Sequence, residues 1–132
     1  MCGYIGAISY KRDYKDIIQN ANKNLICRGP DNLSELNIND NLFINLIFNR
    51  LSILDLSESA NQPMISSHNS ILMFNGEIYN HLELRKHLQS KKVKFNTDHS
   101  DSEVVLNGLD SEGIKFIGKL RGQFAIFYLN RK

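Results

Sequence analysis

Residues 33–51 read LSELNINDNLFINLIFNRL, two apolar-rich runs on either side of Asn39-Asp40-Asn41. The runs over 33–38 and 42–51 read as two strands around that turn. Strands that adjoin with no helix between them argue against strict alternation of strand and helix. They point to an α+β layered fold.

Working outward, residues 3–10 read as a strand that is apolar at Tyr4, Ile5, Ala7 and Ile8. Asp13 is placed to cap a helix carrying Ile17, Ile18, Ala21 and Leu25 on one stripe. Arg28-Gly29-Pro30-Asp31 ends it, because glycine and proline both interrupt helices. Residues 57–69 are polar and contain Pro63, a loop composition. Residues 71–74 read as a short buried strand stopped by the turn dipeptide Asn75-Gly76.

Asn80 with Glu83 three residues on has the pattern of a capping box opening a helix with Leu84 and Leu88 inward. Ser100 with Glu103 forms a second box ahead of Val104, Val105, Leu106 and Leu109. Residues 113–120 suit another short helix. GQFAIFYL, residues 122–129, is a strongly apolar strand. Such a strand needs partners on both sides or it leaves an exposed edge, so the chain reads as a fragment of a larger domain.

Composition narrows the function classes. The 132 residues suffice for one domain, and 42% hydrophobic with 23% charged residues is ordinary for a globular protein. A net charge of +2 is too weak to argue for nucleic acid or a membrane surface as partner, and neither is expected. The basic cluster Lys91-Lys92-Val93-Lys94 reads as a solvated turn. The apolar stretch after Met1 is short and followed by Lys11-Arg12-Asp13, unlike a signal peptide. No run approaches the roughly 20 apolar residues of a membrane span. Two cysteines without paired spacing fit a reducing, cytoplasmic setting. His68, His81, His87 and His99 lack cysteine partners at ligand spacing, so no metal is expected.

Cys2 stands directly behind the initiator methionine. Removal of Met1 would make it the N-terminal residue, with a thiol and a free α-amine together. An α-amine has a pKa of about 7.7–8.0 and is partly neutral near physiological pH. It accepts the thiol proton directly or through a water, so one residue supplies nucleophile and base. The plainer reading makes Cys2 a small apolar residue at the start of a strand.

Five further segments follow Met1-Cys2-Gly3 in order: RGPD at 28–31, NRLSILDL at 49–56, QPM at 62–64, FNGEIYNHLELR at 74–85 and SDSE at 100–103. The ordered set resembles the glutaminase domain of class II glutamine amidotransferases, most closely that of glutamine-dependent asparagine synthetases. The resemblance covers essentially the whole chain and about the first two thirds of a complete family domain. It implies an N-terminal-nucleophile hydrolase fold, a four-layer αββα sandwich, truncated here at its C-terminal side.

The resemblance also implies roles. Cys2 would attack the glutamine side-chain amide. Arg50 would clamp the substrate α-carboxylate through its planar fork, with Ile53 of the same segment at the substrate site. Asn75, through its side-chain amide, and Gly76, through its N–H, would form the oxyanion hole. Glu77 and Asp101 would hold the substrate α-amine. The ammonia would serve ATP-dependent asparagine synthesis by a synthetase domain outside this chain, in cis or in trans. ATP and Mg2+ would belong to that domain, leaving this chain without a cofactor; oligomerisation stays open. Two other readings stand beside this one: an inactive remnant that binds glutamine or another protein, and an amidotransferase domain serving a different acceptor. Family members usually carry His where this chain has Cys27 and Phe48. A second thiol at Cys27 also raises the question of a disulfide with Cys2.

Overall fold

The computed structural model describes residues 2–52 and 60–131. The chain divides into two compact units, the first running through Ser52 and taking in Asn61–Pro63, the second taking in Met64–Lys132. Among the described residues the strands form two antiparallel three-stranded sheets, one in each unit, and helices accompany both. This is the α+β class expected from the adjoining strands.

In the first unit β1 (Gly3–Ser9), β2 (Asn32–Asn39) and β3 (Phe43–Arg50) form a sheet in the order β1-β3-β2. The β2–β3 hairpin pairs Asn39 with Phe43, as the opening stretch of sequence predicts. β3 is the central strand, and Ile44 through Arg50 are all buried, with Leu46 and Phe48 fully so. Burying an aliphatic or aromatic side chain of this size contributes about 1.5–3 kcal/mol. β3 therefore anchors the unit, and its two neighbours inherit their register from it.

Helix α1 (Lys15–Asn22) packs on β1 and β3 but departs from the expected stripe. Ile18 is buried, Ile17 is exposed, and Leu25 lies beyond the helix. Tyr14 occupies the N-cap position instead of Asp13, whose Oδ1 accepts the N–H of Lys15 at 2.8 Å. The second inward residue is Asn22, an amide that apolar periodicity passes over. Its Oδ1 accepts from Asn49 Nδ2 at 2.6 Å, and Asn49 Nδ2 also reaches the Gly3 carbonyl at 3.5 Å. A buried amide pair thus joins α1, β1 and β3.

In the second unit β4 (Met64–Ile65), β5 (Ile71–Ile78) and β6 (Gly122–Leu129) form a sheet in the order β4-β5-β6. β4 falls inside the stretch read as loop. β5 does not stop at Asn75-Gly76 but runs on to Ile78, paired with β6 from Ile71↔Leu129 to Ile78↔Gly122. The reason is close approach. A Cβ on Gly76 would stand 2.1 Å from the Gln123 carbonyl oxygen, so glycine admits the neighbouring strand where a turn was expected. Among the described residues β5 is the only strand paired with β6.

Helices α2 (His81–Ser90) and α3 (Asp101–Glu112) supply the rest of the core. Leu84 and Leu88 of α2 meet Val105, Leu106 and Leu109 of α3 in one cluster with Leu72, Phe74, Ile78 and Phe116. Asn80 makes no side-chain cap of α2. Its amide instead donates to the Lys119 carbonyl and accepts from the Arg121 N–H, each at 3.0 Å, which ties α2 to the segment before β6. Residues Gly113–Lys119 form a 3-10 helix. No helix among the described residues is long and apolar enough to cross a membrane.

Candidate active site

In the first unit, Gly3 pairs with Asn49, so Cys2 and Arg50 are the next residues along adjacent antiparallel strands. Cys2 is half-buried. Its Sγ receives the N–H of Leu51 at 3.3 Å and lies 3.6 Å from the Leu51 carbonyl oxygen. The backbone at the exit of β3 therefore holds the thiol in place through both polar groups of Leu51. Arg50 is 7% exposed, and its Nη1 donates to Asn61 Oδ1 at 2.6 Å. Burying a guanidinium costs solvation, which charge-assisted hydrogen bonds offset.

The segment Arg28-Gly29-Pro30-Asp31 straps both residues in place. Arg28 Nε donates to the Cys2 carbonyl oxygen at 3.2 Å. Gly29 is packed so tightly on β3 that a Cβ would stand 2.2 Å from the Asn49 carbonyl oxygen. The Asp31 N–H donates to the Arg50 carbonyl at 3.0 Å, and Asp31 Oδ2 accepts the N–H of Ser52 at 2.7 Å. The sequence marked this segment as a helix breaker and a family motif. The signal for its positioning role was its chemistry: a cation, a residue without a side chain, and an anion within four positions.

In the second unit, Asn75, Gly76 and Glu77 are consecutive on β5. Asn75 is half-buried, while Gly76 and Glu77 are exposed. Asp101 is the first residue of α3 and 6% exposed, and its Oδ2 accepts the N–H of Ile78 at 3.0 Å. That bond brings Asp101 beside the β5 residue following Glu77. Burial pushes the Asp101 carboxyl above the usual range, opposed by the N–H groups of Ile78 and Ser102. A carboxylate in that state gains from an ammonium partner, which replaces the lost hydration.

A model of the glutamine amidotransferase domain matches residues 1–132. The chain belongs to that family. An asparagine synthetase (glutamine-hydrolyzing) 1 of Bacillus subtilis (strain 168) is 36% identical over 137 aligned residues, covering 99% of this chain and 21% of that protein. A putative asparagine synthetase (glutamine-hydrolyzing) 2 of Methanocaldococcus jannaschii is 33% identical over 100% of this chain and 28% of that protein. Amidase chyE of Penicillium rubens is 43% identical over 74% of this chain and 14% of that protein. This amidotransferase domain thus spans between about one seventh and just over a quarter of these curated relatives. Among solved structures, glutamine phosphoribosylpyrophosphate amidotransferase from B. subtilis matches with a TM-score of 0.72 at 16% identity, over 97% of this chain and 35% of that one. That likeness establishes the shared fold.

Phe48 and Cys27, where the resemblance leads one to expect His, both lie among the described residues. Phe48 is fully buried, its ring stacked on Tyr4 with centroids 6.2 Å apart. It is a core residue of β3. Cys27 is exposed, and both it and Cys2 are free thiols. Ile53 lies outside the described residues.

Proposed function

We propose that this domain hydrolyses glutamine to glutamate and ammonia through Cys2, and that the ammonia serves ATP-dependent asparagine synthesis in a synthetase part carried in cis or in trans. The observation that carries the reading is the alignment of 99–100% of the chain with two relatives whose names specify glutamine-hydrolysing asparagine synthetases. The setting is the cytoplasm, and ATP and Mg2+ act in the synthetase part.

With Met1 removed, the α-amine takes the Cys2 proton. Sγ then forms a bond to the substrate amide carbon, and the C=O electron pair moves onto oxygen. The Asn75 amide and the Gly76 N–H receive that oxyanion. An oxyanion-hole donor contributes about 2.7–4 kcal/mol to the transition state. The oxyanion collapses, the C–N bond breaks, and the α-ammonium returns its proton to the leaving nitrogen, which departs as ammonia. Water then adds to the γ-glutamyl thioester, the C–S bond breaks, and the thiol is restored. Arg50 pairs with the α-carboxylate, and Glu77 and Asp101 with the α-ammonium, throughout both steps.

The test is ammonia release by the parent chain, by Cys2→Ala and by a form retaining Met1. Activity confined to the processed parent supports the reading. Equal turnover by Cys2→Ala overturns it, and glutamine binding without turnover by the parent supports the binding-remnant alternative. One further reading is that the nitrogen goes to an acceptor other than aspartate. Acceptor competition in the full protein separates the two.

A further inference from the structure

Next to Asp101 lies a set of buried polar groups larger than a helix start requires. Ser100 Oγ already caps α3 by accepting the Glu103 N–H at 3.2 Å. Glu103 does not complete the box by reaching back to Ser100. It is 4% exposed, and its carboxylate turns to the preceding loop, accepting the N–H of Asn96 at 2.6 Å, the N–H of Thr97 at 2.9 Å and the Thr97 hydroxyl at 2.6 Å. Thr97 Oγ1 accepts in turn from the Ser100 N–H at 3.3 Å.

Arg85 of α2, 7% exposed, reaches into the same loop. Its Nη1 donates to the Thr97 carbonyl at 2.6 Å, and its Nη2 to the Ser100 carbonyl at 3.1 Å. The same Nη2 stands 4.0 Å from Glu103 Oε2, and the guanidinium lies over the Phe95 ring. The Ser100 carbonyl belongs to the peptide that carries the Asp101 nitrogen. Arg85 and Thr97 therefore hold both backbone polar groups of Ser100, the residue before Asp101, its C=O and its N–H.

Buried ion pairs of this kind contribute little net stability, because desolvation offsets their attraction. A hydrophobic cluster of the same volume would serve folding equally well. What a network of several mutual hydrogen bonds supplies is a fixed geometry.

We propose that Arg85, Thr97 and Glu103 are positioning residues that aim the Asp101 carboxylate at the α-ammonium of glutamine, and so set selectivity for an α-amino substrate. The inference rests on the assignment of Asp101 in the preceding subsection. None of the three residues touches substrate. They act through the backbone and helix start that carry Asp101, whose Oδ2 accepts the Ile78 N–H of β5 and whose Oδ1 accepts from Ser102 Oγ at 3.5 Å.

The test compares glutamine with glutaramate, the same molecule without its α-amino group, as substrates of the full protein. Thr97→Val removes the hydroxyl that serves Glu103 and Ser100. Its KM for glutamine is expected to rise about tenfold, the loss of one charge-assisted hydrogen bond, with kcat within about twofold. Its kcat/KM for glutaramate stays at the parent value, and Thr97→Ser, which keeps the hydroxyl, restores the parent KM. Equal loss on both substrates overturns the proposal, because it marks a general structural role. Should Thr97→Val fail to fold, Arg85→Lys carries the same comparison, since a single ammonium does not span both carbonyls. Asp101→Asn separates the two levels of inference. If it leaves the preference for glutamine over glutaramate intact, the assignment of Asp101 fails. If it abolishes the preference while Thr97→Val and Arg85→Lys retain it, the positioning proposal alone fails.

Discussion

The Nε of Arg28 donates a hydrogen bond to the carbonyl oxygen of Cys2 at 3.2 Å, across 26 residues of sequence. The residue proposed as nucleophile sits at the start of a strand, where a chain ordinarily frays. Arg28 opposes that fraying from outside the sheet. Arg28→Gln is expected to lower kcat for glutamine hydrolysis by about 10–100-fold, the usual cost of a misplaced reacting group. Because Arg28 is exposed, the thermal midpoint stays close to that of the parent. Ammonia release and a thermal melt on one preparation check both, and unchanged kcat would show that the bond does not position Cys2.

Asn22 and Asn49 form the buried link between α1 and the first sheet. Removing either side chain leaves a buried amide without its partner. Asn22→Ala and Asn49→Ala are each expected to destabilise by about 1–3 kcal/mol. The double variant should cost less than the sum of the two, with a coupling of about 0.5–3 kcal/mol. Urea unfolding of the four chains measures the coupling, and strict additivity would rule out the pair as a unit.

Gly76 lets β6 pass β5 at close range. In Gly76→Ala, the added Cβ would also fall 2.6 Å from the Phe124 Cα, and backbone atoms do not yield. A destabilisation of about 1–3 kcal/mol is expected. Glutaminase activity falls with it, since the Gly76 N–H is displaced. A denaturation midpoint equal to the parent's would contradict the close approach of the strands.

Glu112 gathers three cationic or titratable partners: Lys119 Nζ at 2.6 Å, Lys91 Nζ at 2.7 Å and His87 Nε2 at 2.7 Å. Their hydrogen bonds, led by that of Lys119, lower its carboxyl pKa from the ordinary 4.5 to about 2. The folded value lies below the unfolded one, so the unfolded chain binds more protons in that interval. The stabilisation is complete above about pH 4.5 and is lost as the pH falls toward about 2. Glu112→Gln should flatten the dependence of the urea midpoint on pH across that window. Since both lysines are about half exposed, the effect is modest and shrinks with added salt. An acid slope identical to the parent's would exclude Glu112 as its source.

Local chemistry carried much of the reading. The adjoining strands at residues 33–51, the inward Leu84 and Leu88, the Ser100 cap and the ordered motifs were all legible, because each depends on neighbours a few positions apart. The departures share one cause. Asn75-Gly76 favours a turn in isolation, yet pairing along β6 outweighs that local preference. Asn80 fits a cap, yet its amide bonds a segment about 40 residues away. Asn22 breaks an apolar stripe, yet its partner on β3 makes burial favourable.

The sequence by itself determined the α+β class, the family and the identity of the candidate groups, since these rest on residue types and their order. The tertiary structure decided what holds those groups. Arg28 on the Cys2 carbonyl, Asp31 on the Arg50 strand exit, and Arg85 and Thr97 on the Ser100 backbone ahead of Asp101 are all bonds to backbone atoms. Backbone N–H and C=O groups are alike at every position, so no residue pattern marks which of them a distant side chain will reach. Only the folded chain, by burying those groups and requiring each to be bonded, selects the partners.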